Sequence, residues 1–138
     1  MSIQTKKLPK VSDNRGWLTE ILSSEAGQKI VNIHYSYSKP GAIRGNHYHK
    51  NKTELLCVTF GKGRLVLEEN VTKERKELSL NGELPVLVEI PPEVAHAIEN
   101  NDPNIPMHLL VIQKGESAST DSDTYRRQII SQKSSYDD

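Results

Sequence analysis

His47 and His49 are separated by one residue, and Glu54 stands five positions after the second of them. In an extended chain, side chains two apart share a face, so the two imidazoles project together while Tyr48 points away. The polar run Lys50-Asn51-Lys52-Thr53 reads as an exposed turn that returns the next strand, and with it the Glu54 carboxylate, beside the histidine pair. Far downstream, His96 follows the rigid pair Pro91-Pro92 and stands just before a strand start able to bring one more imidazole to the same point. Three imidazoles and a carboxylate make a mixed nitrogen and oxygen shell suited to a divalent cation. Zinc is expected first, and iron, manganese, nickel or cobalt are compatible with the same donors. Single histidines such as His34 and His108 have no such company and read as surface or hydrogen-bonded groups.

The elements that must position this shell are strands. Nearly every periodic segment alternates or is β-branched, and Gly, Pro, Asn and Asp recur between segments at strand-and-turn intervals. Strands are expected at residues 17–21, 30–38, 42–48, 54–60, 63–68, 73–80, 86–90, 97–100 and 108–113, which makes an all-β barrel or sandwich. Turns are signalled at Pro40-Gly41, Gly61-Lys62-Gly63, Pro91-Pro92 and Asn81-Gly82, the last being the residue pair of a two-residue hairpin. At 138 residues the chain suits one domain, residues 1–138, with a core over about 13–113 and a flexible tail over about 131–138. Tyr125, Ile129 and Ile130 are the apolar groups that can anchor the segment before that tail.

Lys and Arg number 18, as do Asp and Glu, so no basic surface for nucleic acid is expected. No apolar run reaches the length of a membrane helix, and the first residues have no apolar signal core, which makes a cytoplasmic location the expectation. The lone Cys57 lies between Leu56 and Val58 and reads as buried packing rather than a nucleophile.

Gly41-(five residues)-His47-Tyr48-His49-(four)-Glu54-(six)-Gly61 resembles the first cupin motif at every defined position. Pro91-Pro92-Glu93-Val94-Ala95-His96-(three)-Asn100 resembles the second, with two departures. Glu93 stands where that motif has glycine, a substitution that strains a left-handed turn, and the glycine expected before Pro91 is missing. The resemblance implies an antiparallel jelly-roll barrel, the double-stranded β-helix of cupins, with His47, His49, Glu54 and His96 as metal ligands.

A cupin barrel hosts many activities, and two further strings narrow the field. Asp13-Asn14-Arg15-Gly16-Trp17-Leu18-Thr19-Glu20, followed by Ser36-Tyr37-Ser38-Lys39-Pro40-Gly41-Ala42-Ile43-Arg44-Gly45-Asn46-His47, is similar to the deoxysugar 3,5-epimerases of the rhamnose pathway. Arg44-Gly45-Asn46-His47-Tyr48-His49-Lys50 looks closer to the metal-binding C-terminal cupin domain of bifunctional capsular-polysaccharide enzymes, and is related to the 3,4-ketoisomerases of dTDP-sugar pathways. In the rhamnose enzymes the histidine matching His47 acts as base without a metal. In the metal-binding relatives it is a ligand, and the presence of His49 assigns His47 to the metal here.

The resemblance implies a metal-dependent epimerase or isomerase acting beside the ketone of a UDP- or dTDP-4-keto sugar, in polysaccharide or deoxysugar synthesis. Arg44, Arg15 and Asn46 are then the substrate contacts, the two guanidiniums being suited to a diphosphate. Tyr35, Tyr37, His34, His108 and Glu99 are available acids or bases, with Tyr35, Tyr37 and His108 as the catalytic candidates. A homodimer is expected, because open cupin sheets cover their edges by pairing. An iron-dependent dioxygenase and a non-catalytic metal- and sugar-binding cupin are the alternative readings.

Overall fold

The computed structural model describes residues 1–22, 29–116 and 123–131. Its strands in chain order are β1 (Gln4–Lys7), β2 (Val11–Asp13), β3 (Gly16–Leu18), β4 (Lys29–Ser38), β5 (Ile43–Tyr48), β6 (Thr53–Phe60), β7 (Lys62–Glu69), β8 (Arg75–Asn81), β9 (Val86–Ile90), β10 (Val94–Glu99), β11 (Met107–Gly115) and β12 (Tyr125–Arg126). Two five-stranded sheets form, ordered β1-β9-β6-β11-β4 and β12-β5-β10-β7-β8, and β2 pairs with β3 as a separate hairpin. Every pairing is antiparallel. The chain passes from one sheet to the other between β4 and β5, β5 and β6, β6 and β7, β8 and β9, β9 and β10, β10 and β11, and β11 and β12. That alternation is the jelly roll expected of a cupin.

Strand alternation sets the core between the sheets. Leu56, Val58, Val88 and Leu109 of the first sheet meet Leu65, Leu67 and Ile98 of the second in one buried cluster. A second cluster lies behind the first sheet, where Leu55, Cys57, Leu87 and Ile112 are covered by Leu8, Ile21 and Leu22. Burial pushes the Cys57 thiol above its ordinary range, in keeping with a packing role. A third cluster, behind the second sheet, holds Val66, Ala95 and Ala97 under Ile129 and Ile130 of the C-terminal segment.

Two turns depart from expectation. Asn81-Gly82 is no hairpin, since β8 pairs with β7 while β9 lies in the other sheet. Instead Asn81 Oδ1 accepts from Glu83 N at 2.8 Å and the chain crosses between sheets, a local side-chain turn that competes with the hairpin geometry. The second is at Glu93, which takes φ 68 in place of the motif's glycine. Its backbone N–H donates to His49 O at 2.7 Å and its carbonyl accepts from Asn70 N at 3.0 Å, so the left-handed angle is held by bonds on both sides. Strand β10 also begins earlier than the expected 97–100, which places His96 within it rather than ahead of it. The expected strand 17–21 is the short β3 of the hairpin, and most of the tail over 131–138 lies outside the described residues.

Candidate metal centre and its pocket

His47 lies in β5, His49 one residue past its end, Glu54 in β6 and His96 in β10. Across the β5–β10 ladder His47 is the direct partner of His96. Close approach of these strands depends on Gly45, whose φ is +96° and where a Cβ would lie 2.7 Å from His96 O. The ligating atoms of the four side chains lie within 4.8 Å of one another. His49, Glu54 and His96 are buried, and His47 is partly so.

Hydrogen bonds fix which face of each ring meets the centre. His49 Nδ1 donates to Asp123 O at 2.6 Å and His96 Nδ1 to Val94 O at 3.1 Å. Each ring therefore turns its Nε2 inward. His49 Nε2 bonds Glu54 Oε1 at 2.7 Å, and His96 Nε2 is 3.0 Å from Oε2. His96 Nε2 is a buried nitrogen without a hydrogen-bond partner among the described residues. An orphaned inward nitrogen beside a second imidazole and a carboxylate is a donor set that fits a divalent metal ion. Gln113 Nε2 donates to Glu54 Oε1 at 2.9 Å and steadies the carboxylate from behind.

The electrostatics agree. Burial alone would raise the Glu54 carboxyl, but His96 and His49 outweigh it and hold the group well below the usual carboxylate range. Burial, assisted by His96, pushes His47 down to about 4 against the pull of Glu54. Burial also opposes charge on His49, yet the bonds to Glu54 and to the Asp123 carbonyl prevail and raise it. At neutral pH the cluster thus offers a neutral His47 and an ionised Glu54, the states that ligate a cation.

This cluster forms one wall of a cavity of about 380 Å³ between the sheets. Leu56, Leu65, Ile98, Leu109 and Val111 supply apolar walls, and His34, Ser36, Arg44 and Thr124 add polar groups. Arg44 is held in place by Nε donating to Ser38 Oγ at 2.7 Å and Nη2 to Tyr37 O at 2.8 Å.

Several expected site residues lie elsewhere. His34 and Ser36 face the cavity from β4, so Tyr35 and Tyr37 of the same strand face the opposite side. Register places Tyr37 beside His108, and Tyr35 Oη lies 2.7 Å from His108 Nδ1 on that outer face. The three catalytic candidates are therefore not brought to the pocket. Glu99 pairs with Arg64 at 3.2 Å. Arg15, at the tip of the β2–β3 hairpin, is exposed and paired with Asp13 at 2.6 Å, and it lines only a separate depression on that hairpin. Asn46 is no pocket group either. Its amide oxygen accepts from Ile129 N at 2.9 Å and Ile130 N at 3.0 Å, and its nitrogen donates to Ile130 O at 3.1 Å. Lys52, expected in solvent with Lys50, is buried.

Asp123, which the spacing did not single out, joins the site twice. Besides its carbonyl bond to His49, its carboxylate accepts from Lys50 N at 3.0 Å and Asn51 N at 3.1 Å. Strand β12 then pairs with β5, setting Arg126 opposite His47. The C-terminal segment is a strap across the strand that carries the histidine pair.

The two sheets form the jelly roll of a cupin, and His47, His49, Glu54 and His96 make a candidate metal site within it. Residues 11–125 match the family of polysaccharide biosynthesis C-terminal domains, and the chain belongs to that family. It is 35% identical over 94 residues to a UDP-2-acetamido-2,6-beta-L-arabino-hexul-4-ose reductase of Pseudomonas aeruginosa, covering 67% of this chain and 24% of the relative. It is 33% identical over 101 residues to the spore coat polysaccharide biosynthesis protein SpsL of Bacillus subtilis, covering 68% of this chain and 67% of the relative. Among solved structures, the capsular polysaccharide assembling protein CapF of Staphylococcus aureus aligns at 28% identity and TM-score 0.63, over 88% of this chain and 33% of CapF. The chain thus spans a quarter to a third of the reductase and of CapF. The fold is shared with the 3,4-ketoisomerase QdtA of Thermoanaerobacterium thermosaccharolyticum, at 23% identity and TM-score 0.74, over 91% of this chain and 88% of QdtA. It is shared also with the 3,5-epimerase RmlC of Legionella pneumophila, at 16% and 0.80, over 93% of this chain and 73% of RmlC.

Proposed function

We propose that this protein is a metal-dependent epimerase or isomerase acting beside the ketone of a UDP- or dTDP-4-keto sugar, in polysaccharide or deoxysugar synthesis. The observation that carries the reading is the wall of three imidazoles and one carboxylate at a cavity with apolar walls, in a family of polysaccharide biosynthesis domains. The name of the Pseudomonas relative, a UDP-linked hexul-4-ose reductase, supports a 4-keto substrate.

His47, His49, Glu54 and His96 would hold the ion, zinc first among the candidates. A bound divalent cation supplies Lewis-acid stabilisation to the oxyanion that develops when the carbon next to a carbonyl loses its proton. The protein's own groups do the rest. Leu56, Leu65 and Ile98 exclude water from one side of the ring, and Arg44, anchored by Ser38 and the Tyr37 carbonyl, offers its remaining guanidinium N–H groups to a substrate anion. The chain would work as a cytoplasmic homodimer beside an enzyme that makes the keto sugar.

The test is proton NMR after incubation of metal-loaded protein with UDP- and dTDP-4-keto-6-deoxy sugars in heavy water. Deuterium should enter at C3, and a chelator should stop the exchange. Absence of exchange with every substrate, despite full metal loading and measurable sugar-nucleotide binding, would leave a binding protein in place of an enzyme.

A further inference from the structure

Deprotonation beside a ketone needs a side chain that can accept the proton within reach of the carbon, and the three candidates suggested by the sequence face away from the cavity. The polar groups that do line it can be sorted by what they are free to do. His47, His49, Glu54 and His96 are committed to the ion, and Gln113 is bonded to Glu54. Arg44 offers only donors, and Ser36 and Thr124 are hydroxyls without a basic side chain bonded to them among the described residues. Among the described residues one side chain remains, His34.

We infer that His34 is the proton carrier of this pocket, the group that takes a proton from the carbon beside the substrate carbonyl and gives it back. The inference rests on the keto-sugar reading above. It also rests on register. In the first sheet, Glu54 pairs with Gln113, and the next inward row runs Leu56, Val111, His34 across β6, β11 and β4. His34 is thus two strands and one row from Glu54, a Cα separation of about 12 Å from ordinary strand spacing and rise. Side chains reaching in from both ends of that span leave room for one sugar ring, its carbonyl oxygen toward the ion and an adjacent C–H toward the imidazole. Val111 and Leu109, on the strand next to β4, give that end of the cavity an apolar wall.

The proton count closes between this residue and solvent. His34 takes H⁺ from the α-carbon, the C–H electron pair becomes the carbon–carbon double bond of the enolate, and the carbonyl π pair moves to oxygen. Return of H⁺ from the imidazolium to the same face gives exchange without inversion; inversion follows when water delivers H⁺ to the opposite face and the imidazolium gives its proton to the hydroxide left behind. His34 is itself exposed at the cavity mouth, so solvent deuterium can replace that proton between the two steps.

The decisive variant is His34→Gln, with metal content, sugar-nucleotide affinity and deuterium entry all measured. Metal stoichiometry and binding should match the unaltered protein while exchange falls by roughly 10²–10⁴-fold, the range of a lost general base. His34→Gly should regain part of the exchange when free imidazole is added, a rescue that a structural role would not show. Exchange within a few-fold of normal in His34→Gln, or loss of exchange together with metal, overturns the assignment and leaves the keto-sugar reading standing. No exchange in the unaltered protein with any substrate removes both.

Discussion

At the scale of single residues, the centre is governed by charge states that the barrel imposes. The metal-free protein should show this in its stability. His47 is held near 4 when folded but titrates in the ordinary histidine range when unfolded, so below about 6.5 the unfolded chain binds the extra proton and stability falls as pH drops toward 4. His49 acts in the opposite sense, since its raised value contributes stability at low pH that is lost as pH rises through the folded value. Urea titrations of metal-free protein between pH 4.5 and 7.5 should therefore give a shallower acid-side decline in His47→Gln than in the unaltered protein. An equal decline in both would show that His47 does not impose it. Removal of a ligand is a separate matter. His96→Ala should bind substantially less than one equivalent of metal with the fold retained, because it removes a buried imidazole nitrogen that already faces the carboxylate. Metal analysis of the purified variant decides it.

At the scale of elements, the strap from Asp123 to Ile130 ties the ligands to the fold. Asp123→Ala keeps the carbonyl that orients His49 but loses the carboxylate that caps Lys50 N and Asn51 N. Metal affinity should weaken by roughly 10-fold or more, as outer partners of metal ligands usually do, and competition with a chromogenic chelator reads it. Ile130→Ala, at a buried position over Ala95 and Ala97, should cost about 2–5 kcal/mol of stability in a denaturant titration. The convergence of His47, His49, Glu54 and His96 was legible in the sequence because His-x-His fixes a shared face by parity alone and the cupin spacing supplies the rest. The anchors of the strap, Tyr125, Ile129 and Ile130, were legible too, but its hold on His49 was not, because Asp123 orients His49 through a backbone carbonyl, a contact that any residue type could make. The run Ile33-His34-Tyr35-Ser36-Tyr37-Ser38 alternates cleanly, yet alternation cannot say which set faces inward. Only the pairing of β4 with β11 turns His34 in and Tyr35 out.

At the scale of the whole molecule, that same parity leaves an apolar face in solvent. Ile33, Tyr35, Tyr37 and Phe60 are each half exposed or more, and Tyr35, Tyr37 and Phe60 all pack edge-on against His108. This face continues into Leu55, Cys57 and Ile112, where the chain's own Leu8, Ile21 and Leu22 provide cover. The aromatic half has no such cover among the described residues. It also borders β4, ten residues long and at the end of its sheet, so backbone groups on its far side have no strand partner among the described residues. A long bare edge beside an exposed aromatic face is the combination that soluble proteins bury by association, and a second copy can bury both at once through a two-fold axis along β4. The proposed homodimer should therefore be seen by sedimentation equilibrium at micromolar concentration. Tyr35→Glu combined with Tyr37→Glu places two charges on the face, on the side away from the cavity, and should shift the protein to monomer with metal stoichiometry unchanged. A monomer in the unaltered protein, or a dimer that persists in the double variant with undiminished affinity, would show that this face is not where two copies meet.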